Sequence, residues 1–344
     1  MKLDVLLVGD GLTGSCLAHT LFDKGINFKW LGNNKTSSAS KVAAGLYHPL
    51  VFKRPGFSWN ADTFIPFSNK TYQAWEIRMQ AHFYLHGDML RIYASESERQ
   101  LWEQFLLQNP HSMLPLNQSQ YRKIIAPHGL GAVQSATRID VAEFVNHSIA
   151  FFQNKNTYYQ QNVAFNDMQM NGKAIDFQGE TYRYVIFAEG WPAIAIDKAE
   201  KMMKPVKGEV LTIAIPDFEP LMVHGGVYIV PFGENTFKVG SNFDWNNLNN
   251  EPTPAGLLYL TSKVKAMLQV PFEVLNHEAS VRPASIDRRP LLGFLPNLPN
   301  VFVCNGMGSK GALLAPNMAK ATFETLFENQ PLSAEVNWMR LWNR

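Results

Sequence analysis

Three glycines at the spacing Gly9-x-Gly11-x-x-Gly14 follow an apolar run, DVLLV, and open a segment, SCLAHTLFDKG, whose apolar residues recur at helical spacing. Strand, glycine turn and helix in that order form the setting in which this motif cradles a dinucleotide pyrophosphate. Gly9 permits the tight turn, Gly11 lets the backbone approach the phosphates, and Gly14 lets the helix pack closely on the sheet. Leu12 and Thr13 stand at the helix start, where unpaired N–H groups and the helix dipole favour an anion. Asp10 is awkward there, because a carboxylate repels a pyrophosphate; its side chain is expected to turn away.

FKWLGNN (28–34) reads as the second strand of a β-α-β unit running into a turn. A dinucleotide site normally places an acid for the ribose at this strand end, about twenty residues beyond the glycines. That position is Gly32. The nearest base, Lys35, comes three residues late for an NADP 2′-phosphate, so NADP is not favoured. Asn33 and Asn34 keep donors and acceptors that can serve ribose hydroxyls; equally, Gly-Asn-Asn can be only a turn. No metal is expected. The nearest ligand pair, His82 and His86 in HFYLH, is read on a helix, and Phe83 stands where a zinc-peptidase helix carries its general-base Glu.

These residues need elements to position them. The chain of 344 residues, 46% hydrophobic and 17% charged, has the composition of a globular protein long enough for two domains. A formal charge of +2 without a Lys/Arg run gives no expectation of nucleic-acid binding. No apolar stretch reaches the ~18 residues of a membrane span, and the short apolar core of MKLDVLLVGDG reads as a strand rather than a leader. Cys16 and Cys304, the only cysteines, sit in apolar segments and read as free buried thiols, which fits a cytoplasmic protein. Further helices are expected in TYQAWEIRMQAHFYL, SERQLWEQFLLQ, RIDVAEFVNHSIAFF and PAGLLYLTSKVKAML. Strands are expected in YVIFAEG, VLTIAI, GGVYIVPF and TFKVGSNF, and a glycine loop and long helix follow PNVFVCN.

In chain order, SKVAAGLYHPLV (40–51), VIFAEGW (185–191), KPVKGEVLTI (204–213), GGVYIVPF (225–232), SVRPASIDRRPLLG (280–293) and NGMGSKGALLAP (305–316) resemble successive motifs of one family. That family is the FAD-dependent D-amino-acid oxidase and glycine oxidase superfamily, and the resemblance spans the chain. It implies an α/β fold: a discontinuous Rossmann-like FAD-binding domain of glutathione-reductase type (1–50, 136–205, 276–344) and an α+β substrate domain on an antiparallel sheet (51–135, 206–275). It implies noncovalent FAD. Besides the first glycine loop, Gly32, Asn33 and Asn34, the resemblance assigns Ser38, Ser40, Ala43, Ala44, Gly45 and Leu46 to the cofactor. Val163 and the strand end Ala188, Glu189, Gly190 and Trp191 join them, Glu189 being a second candidate for the ribose. The C-terminal loop Gly306, Gly308, Ser309, Lys310, Gly311 and Ala312 would face the pyrimidine end of the flavin, which becomes negative on reduction.

By the same resemblance Arg282 binds a substrate carboxylate, with a structural ion pair to Asp287 as its alternative. Tyr228 helps hold that carboxylate or caps the site, and His48 lies close to the flavin. The implied activity is hydride transfer from an amine-bearing carbon of a small amino acid (D-amino acid, glycine or N-substituted glycine) to flavin N5. Imine hydrolysis and reoxidation by O2 complete it. Two alternatives stay open: a flavin-binding module without turnover, and an FAD dehydrogenase for a larger carboxymethylamino-bearing substrate.

Overall fold

The computed structural model describes residues 2–33, 39–52, 54–116, 118–172, 174–192 and 199–342. The glycine motif builds β1 (Lys2–Val8), α1 (Leu12–Asp23) and β2 (Phe28–Gly32). β1 and β2 pair in parallel, from Val5 opposite Phe28 to Val8 opposite Leu31. Alternate residues of β1 feed two cores: Val5 and Leu7 join Trp30 and the helical side, while Leu6 and Val8 join Leu31, Tyr182 and Trp338 on the other. A strand buried on both faces has no polar alternation, which is why DVLLV reads as one apolar run.

The first sheet has the order Leu291–Leu295, Leu298–Asn305, Glu180–Phe187, β1, β2, Tyr158–Gln160. Its pairs are parallel except the Leu291–Leu295 hairpin and the small antiparallel strands Ala174–Phe177 and Gln169–Asn171. Helices α1 and Gly311–Phe327 pack side by side against it, with Val141–Asn154 beside α1. The topology carries the N-termini of α1 and Gly311–Phe327 to the carboxyl ends of their preceding strands, where ligands of open α/β sheets bind.

The second sheet runs Glu273–Arg282, Val206–Ala214, Thr236–Gly240, Tyr228–Gly233, Met222–His224, Tyr84–Ile92, Leu130–Ile139, Leu46–Tyr47. It is antiparallel apart from Met222–His224, which pairs in parallel with Tyr84–Ile92. Helix Pro254–Met267 packs on it through Leu260, Val264 and Met267. Thr253 caps that helix by accepting from Gly256 N at 3.0 Å.

Some expectations change. The expected boundaries at 136 and 276 fall inside Leu130–Ile139 and Glu273–Arg282, because ladder pairing with Tyr84–Ile92 and Val206–Ala214 carries both strands into the second sheet. HFYLH is not helical. Helix Ala61–Met79 stops at Gln80, whose φ of 52° is left-handed, and Glu76 Oε1 accepts from Phe83 N at 2.7 Å and Tyr84 N at 2.8 Å. Those bonds start the strand Tyr84–Ile92, where His86 Nδ1 meets Thr137 Oγ1 at 2.9 Å. Among the described residues no cluster of His, Cys, Asp and Glu is arranged for a metal, and no helix is long and apolar enough to cross a membrane. Cys16 and Cys304 are free and buried.

Candidate active site

A cavity of about 970 Å³ draws its walls from both sheets. Gly9, Gly11, Leu12 and Thr13 line it; Gly14 does not, since it lies beneath Gly9, where any Cβ would overlap the Gly9 carbonyl. The turn is braced by Gly9 N donating to Leu31 O (2.9 Å) and Trp30 Nε1 donating to Gly9 O (2.8 Å). Ser40 Oγ accepts from Leu12 N at 2.9 Å and keeps its own proton to offer a ligand. Ala43, Ala44, Gly45 and Leu46 continue the wall, as do Val163, Ala188, Glu189, Gly190 and Trp191.

The Asp10 side chain is directed toward Tyr158 and Gly32. Its Oδ2 accepts from the Tyr158 hydroxyl at 2.9 Å, and its side chain fills the space that a Cβ on Gly32 would need. Gly32 and Asn33 line the cavity beside it; Asn34 and Ser38 lie outside the described residues.

Gly308, Ser309, Lys310, Gly311 and Ala312 bring the second glycine loop and its helix N-terminus to the same cavity. Gly306 does not line it; at φ 76° it turns the chain against Leu291. Asn305, which the sequence did not single out, ties the second glycine loop to the strand end at Gly190. Its Nδ2 donates to Gly190 O at 2.9 Å and its Oδ1 accepts from Gly306 N at 2.8 Å. Two helix N-termini and a glycine turn lining one cavity of this volume fit a dinucleotide cofactor, whose pyrophosphate α1 would hold and whose electron-rich ring the second loop would face.

Strand pairing delivers the remaining groups. Arg282 ends Glu273–Arg282 opposite Val206. Its Nη2 donates to Ser241 Oγ at 2.6 Å, its guanidinium lies 5.0 Å from the Phe243 ring centre, and its Nη1 is buried with no hydrogen-bond partner among the described residues. Burial lowers its pKa, the mark of a cation held without an anion. The alternative pairing with Asp287 does not occur. Asp287 is held by Arg340 through two bonds of 2.7 and 2.9 Å and by Ser285 at 3.0 Å.

Tyr228 lines the cavity from Tyr228–Gly233, which Val206–Ala214 and Thr236–Gly240 separate from Glu273–Arg282, and its hydroxyl lies over Gly240, where a Cβ would overlap it. Burial pushes its pKa up to about 12 against the pull of Arg282, so it is a neutral donor at ordinary pH. His48 stacks on Phe52 at 4.4 Å, and its Nδ1 is buried without a hydrogen-bond partner among the described residues. Burial first, then Lys310 and Arg91, lower its pKa to about 3. His224, missed in the sequence, lines the same wall and lies 4.7 Å from the Phe52 ring. Arg91 Nη1 donates to its Nδ1 at 2.9 Å, so the neutral ring carries its proton on Nε2. Burial and Arg91 hold its pKa well below the ordinary histidine value. The available signal was its place four residues before Tyr228. Lys310 is turned to the cavity and donates to Ser58 Oγ at 3.1 Å; burial and then Arg289 lower its pKa.

A family model described as FAD dependent oxidoreductase matches residues 4–325. The tRNA 5-methylaminomethyl-2-thiouridine biosynthesis bifunctional protein MnmC of Marinobacter nauticus is 24% identical over 92% of this chain and 54% of its own. The chain thus spans about half the length of that relative. Glycine oxidase of Bacillus subtilis is 32% identical over 33% of this chain and 31% of its own. Among solved structures, glycine oxidase of Bacillus cereus superposes with a TM-score of 0.79 at 19% identity, covering 96% of each chain. L-proline dehydrogenase of P. horikoshii gives 0.80 at 13% identity over 99% of this chain and 98% of its own. At these identities the superpositions speak for the fold, an α/β architecture shared with those enzymes.

Proposed function

The chain belongs to the FAD dependent oxidoreductase family, and from that premise we propose that it oxidises the C–N bond of an amine whose neighbouring carbon bears a carboxylate. One observation carries the substrate class: Arg282 Nη1, buried and unpartnered among the described residues, on the wall of the cofactor cavity. A guanidinium so placed costs free energy unless an anion meets it, and a carboxylate meets it through two parallel bonds.

When bound, FAD supplies the two-electron acceptor for the hydride that leaves the amine-bearing carbon. Everything else falls to the chain. Arg282 takes the carboxylate through Nη1 while Ser241 and Phe243 fix the guanidinium plane. Tyr228, protonated, adds a hydrogen bond from its own strand of the same sheet. His48 and His224, both neutral, add no positive charge that would repel an ammonium group, and His48 Nδ1 can accept a hydrogen bond from the amine. An imidazole this hard to protonate orders the nitrogen rather than stripping it, so the substrate is read as reacting in its free-base form.

Anaerobic mixing of the purified holoprotein with glycine, N-substituted glycines and D-amino acids tests the reading, with bleaching of the flavin absorbance expected for at least one. No bleaching by any carboxylate-bearing amine would refute it and would fit the alternative of a flavin-binding module without turnover. Oxygen as acceptor, a cytoplasmic setting and the two-domain division belong to the same proposal; peroxide formed in air tests the first.

A larger carboxymethylamino-bearing substrate is the second reading. It is favoured by the breadth of similarity to the tRNA-modifying relative and by Phe243 and Trp245, 54% and 52% exposed and stacked at 5.9 Å, beside Arg282. Exposed rings there can receive a base. A carboxymethylaminomethyl nucleoside reduced at a lower concentration than glycine would decide for it.

A further inference from the structure

We propose that Asp10 is the carboxylate that accepts the adenosine ribose hydroxyls of FAD, in place of the acid missing from the end of β2. The proposal rests on the cofactor and is independent of the substrate argued above. A Cβ built on Gly32 overlaps Asp10 Cβ, Cγ and Oδ2, so the aspartate fills the volume the absent side chain would occupy. Its orientation is fixed from the far side by Tyr158, which donates to Oδ2 at 2.9 Å. Tyr158 is itself held: it is 4% exposed, edge-on to Trp30 at 4.9 Å, and opposite Trp30 in the pairing of β2 with Tyr158–Gln160.

Asp10, Gly32 and Asn33 line one stretch of the cavity, with Gln161 and Asn162 following Tyr158–Gln160 on the next strand. A carboxylate offers about four lone-pair sites, so the bond from Tyr158 does not by itself exhaust what Asp10 can accept. The same orientation presents the carboxylate where ribose hydroxyls need an acceptor. The acid has moved from the strand end to the glycine turn, and Gly32 is the space it requires.

The test is flavin affinity of the apoprotein, read by quenching of FAD fluorescence and compared with FMN, which has no adenosine. Asp10→Ala should raise the FAD Kd ~10–100-fold, the worth of hydrogen bonds to a charged group, and leave the FMN Kd unchanged. Gly32→Glu alone should also weaken FAD, and Asp10→Gly combined with Gly32→Glu should restore most of the lost affinity. Should Asp10→Ala not fold, Asp10→Asn, which keeps the shape, carries the comparison. Equal weakening of FAD and FMN would mean that Asp10 only shapes the loop, and an unchanged FAD Kd would mean it does not touch the ribose; either overturns the assignment.

Discussion

Between the Arg282 guanidinium and the backbone of Gly208 there is no room for a methyl group, since a Cβ at Gly208 would overlap Nη2. The glycine of Lys-Pro-Val-Lys-Gly therefore works as a seat for the arginine. Gly208→Ala is expected to tilt the guanidinium and raise the substrate KM at least ~10-fold, since one or more charge-assisted bonds lose alignment. Flavin content should stay unchanged, because Gly208 is remote from both glycine loops in sequence and its neighbour here is Arg282. An unaltered KM would show that the seat is not needed. Arg282→Ala should be more severe, on the order of 100-fold or more in KM, since a buried charge pair is lost outright. Steady-state kinetics on whichever amine bleaches the flavin would read both. At this scale the sequence was informative: Arg282, Tyr228 and His48 stood in recognisable motifs. The Asp287 alternative depended on Arg340, 53 residues further on, a partner no local pattern could announce.

Elements decide which distant residues share a wall. Met222–His224 pairs in parallel with Tyr84–Ile92, placing His224 opposite Arg91. That single crossover creates the imidazole–guanidinium contact, which reasoning along the chain could not show; only the place of His224 four residues before Tyr228 pointed to it. The strand Val206–Ala214 is anchored by Glu209, 2% exposed. Its carboxylate accepts from Thr253 N and Thr253 Oγ1 (both 2.8 Å) and from Asn242 Nδ2 (3.1 Å), with His277 Nε2 2.8 Å away. Thr253 thus caps a helix with one lone pair and donates its hydroxyl proton in a hydrogen bond to a buried carboxylate. Thr253→Ala should lower unfolding free energy by ~1–3 kcal/mol, more than an ordinary cap, because Glu209 loses a donor it cannot replace from water. Chemical denaturation checks this; a loss under ~0.5 kcal/mol would show that Glu209 re-pairs. The helix itself was legible, as PAGLLYLTSKVKAML. Its buried acid was not, because Glu209 lies on a strand that reads as apolar.

Taken whole, the molecule carries three imidazoles that folding keeps neutral. Burial lowers the pKa of His19 and His48 to about 3 each and holds His224 well below the ordinary value. The unfolded chain takes up these protons near pH 6.5, whereas the folded chain refuses them until far lower. Stability is therefore fully present above about pH 6.5 and falls as the solution is acidified, by ~1.4 kcal/mol per pH unit for each group. Melting temperatures of the apoprotein should drop steeply between pH 7 and pH 4.5; a flat profile would contradict the burial of these rings. The division into a parallel and a mainly antiparallel sheet is the one that the family resemblance implied. That the strands at 136 and 276 both pair within the second sheet was not legible, since hydrogen-bond pairing leaves no periodic trace.

The contact between Gly32 and Asp10 also bears on how such a chain can change over generations. An acid arriving at position 32 first collides with the aspartate, and an aspartate lost from position 10 first leaves nothing in its place. Positions 22 residues apart in sequence are therefore inherited as a pair, and relatives are expected to carry one arrangement or the other. A pattern search that demands the strand-end acid would discard every lineage that took the second route.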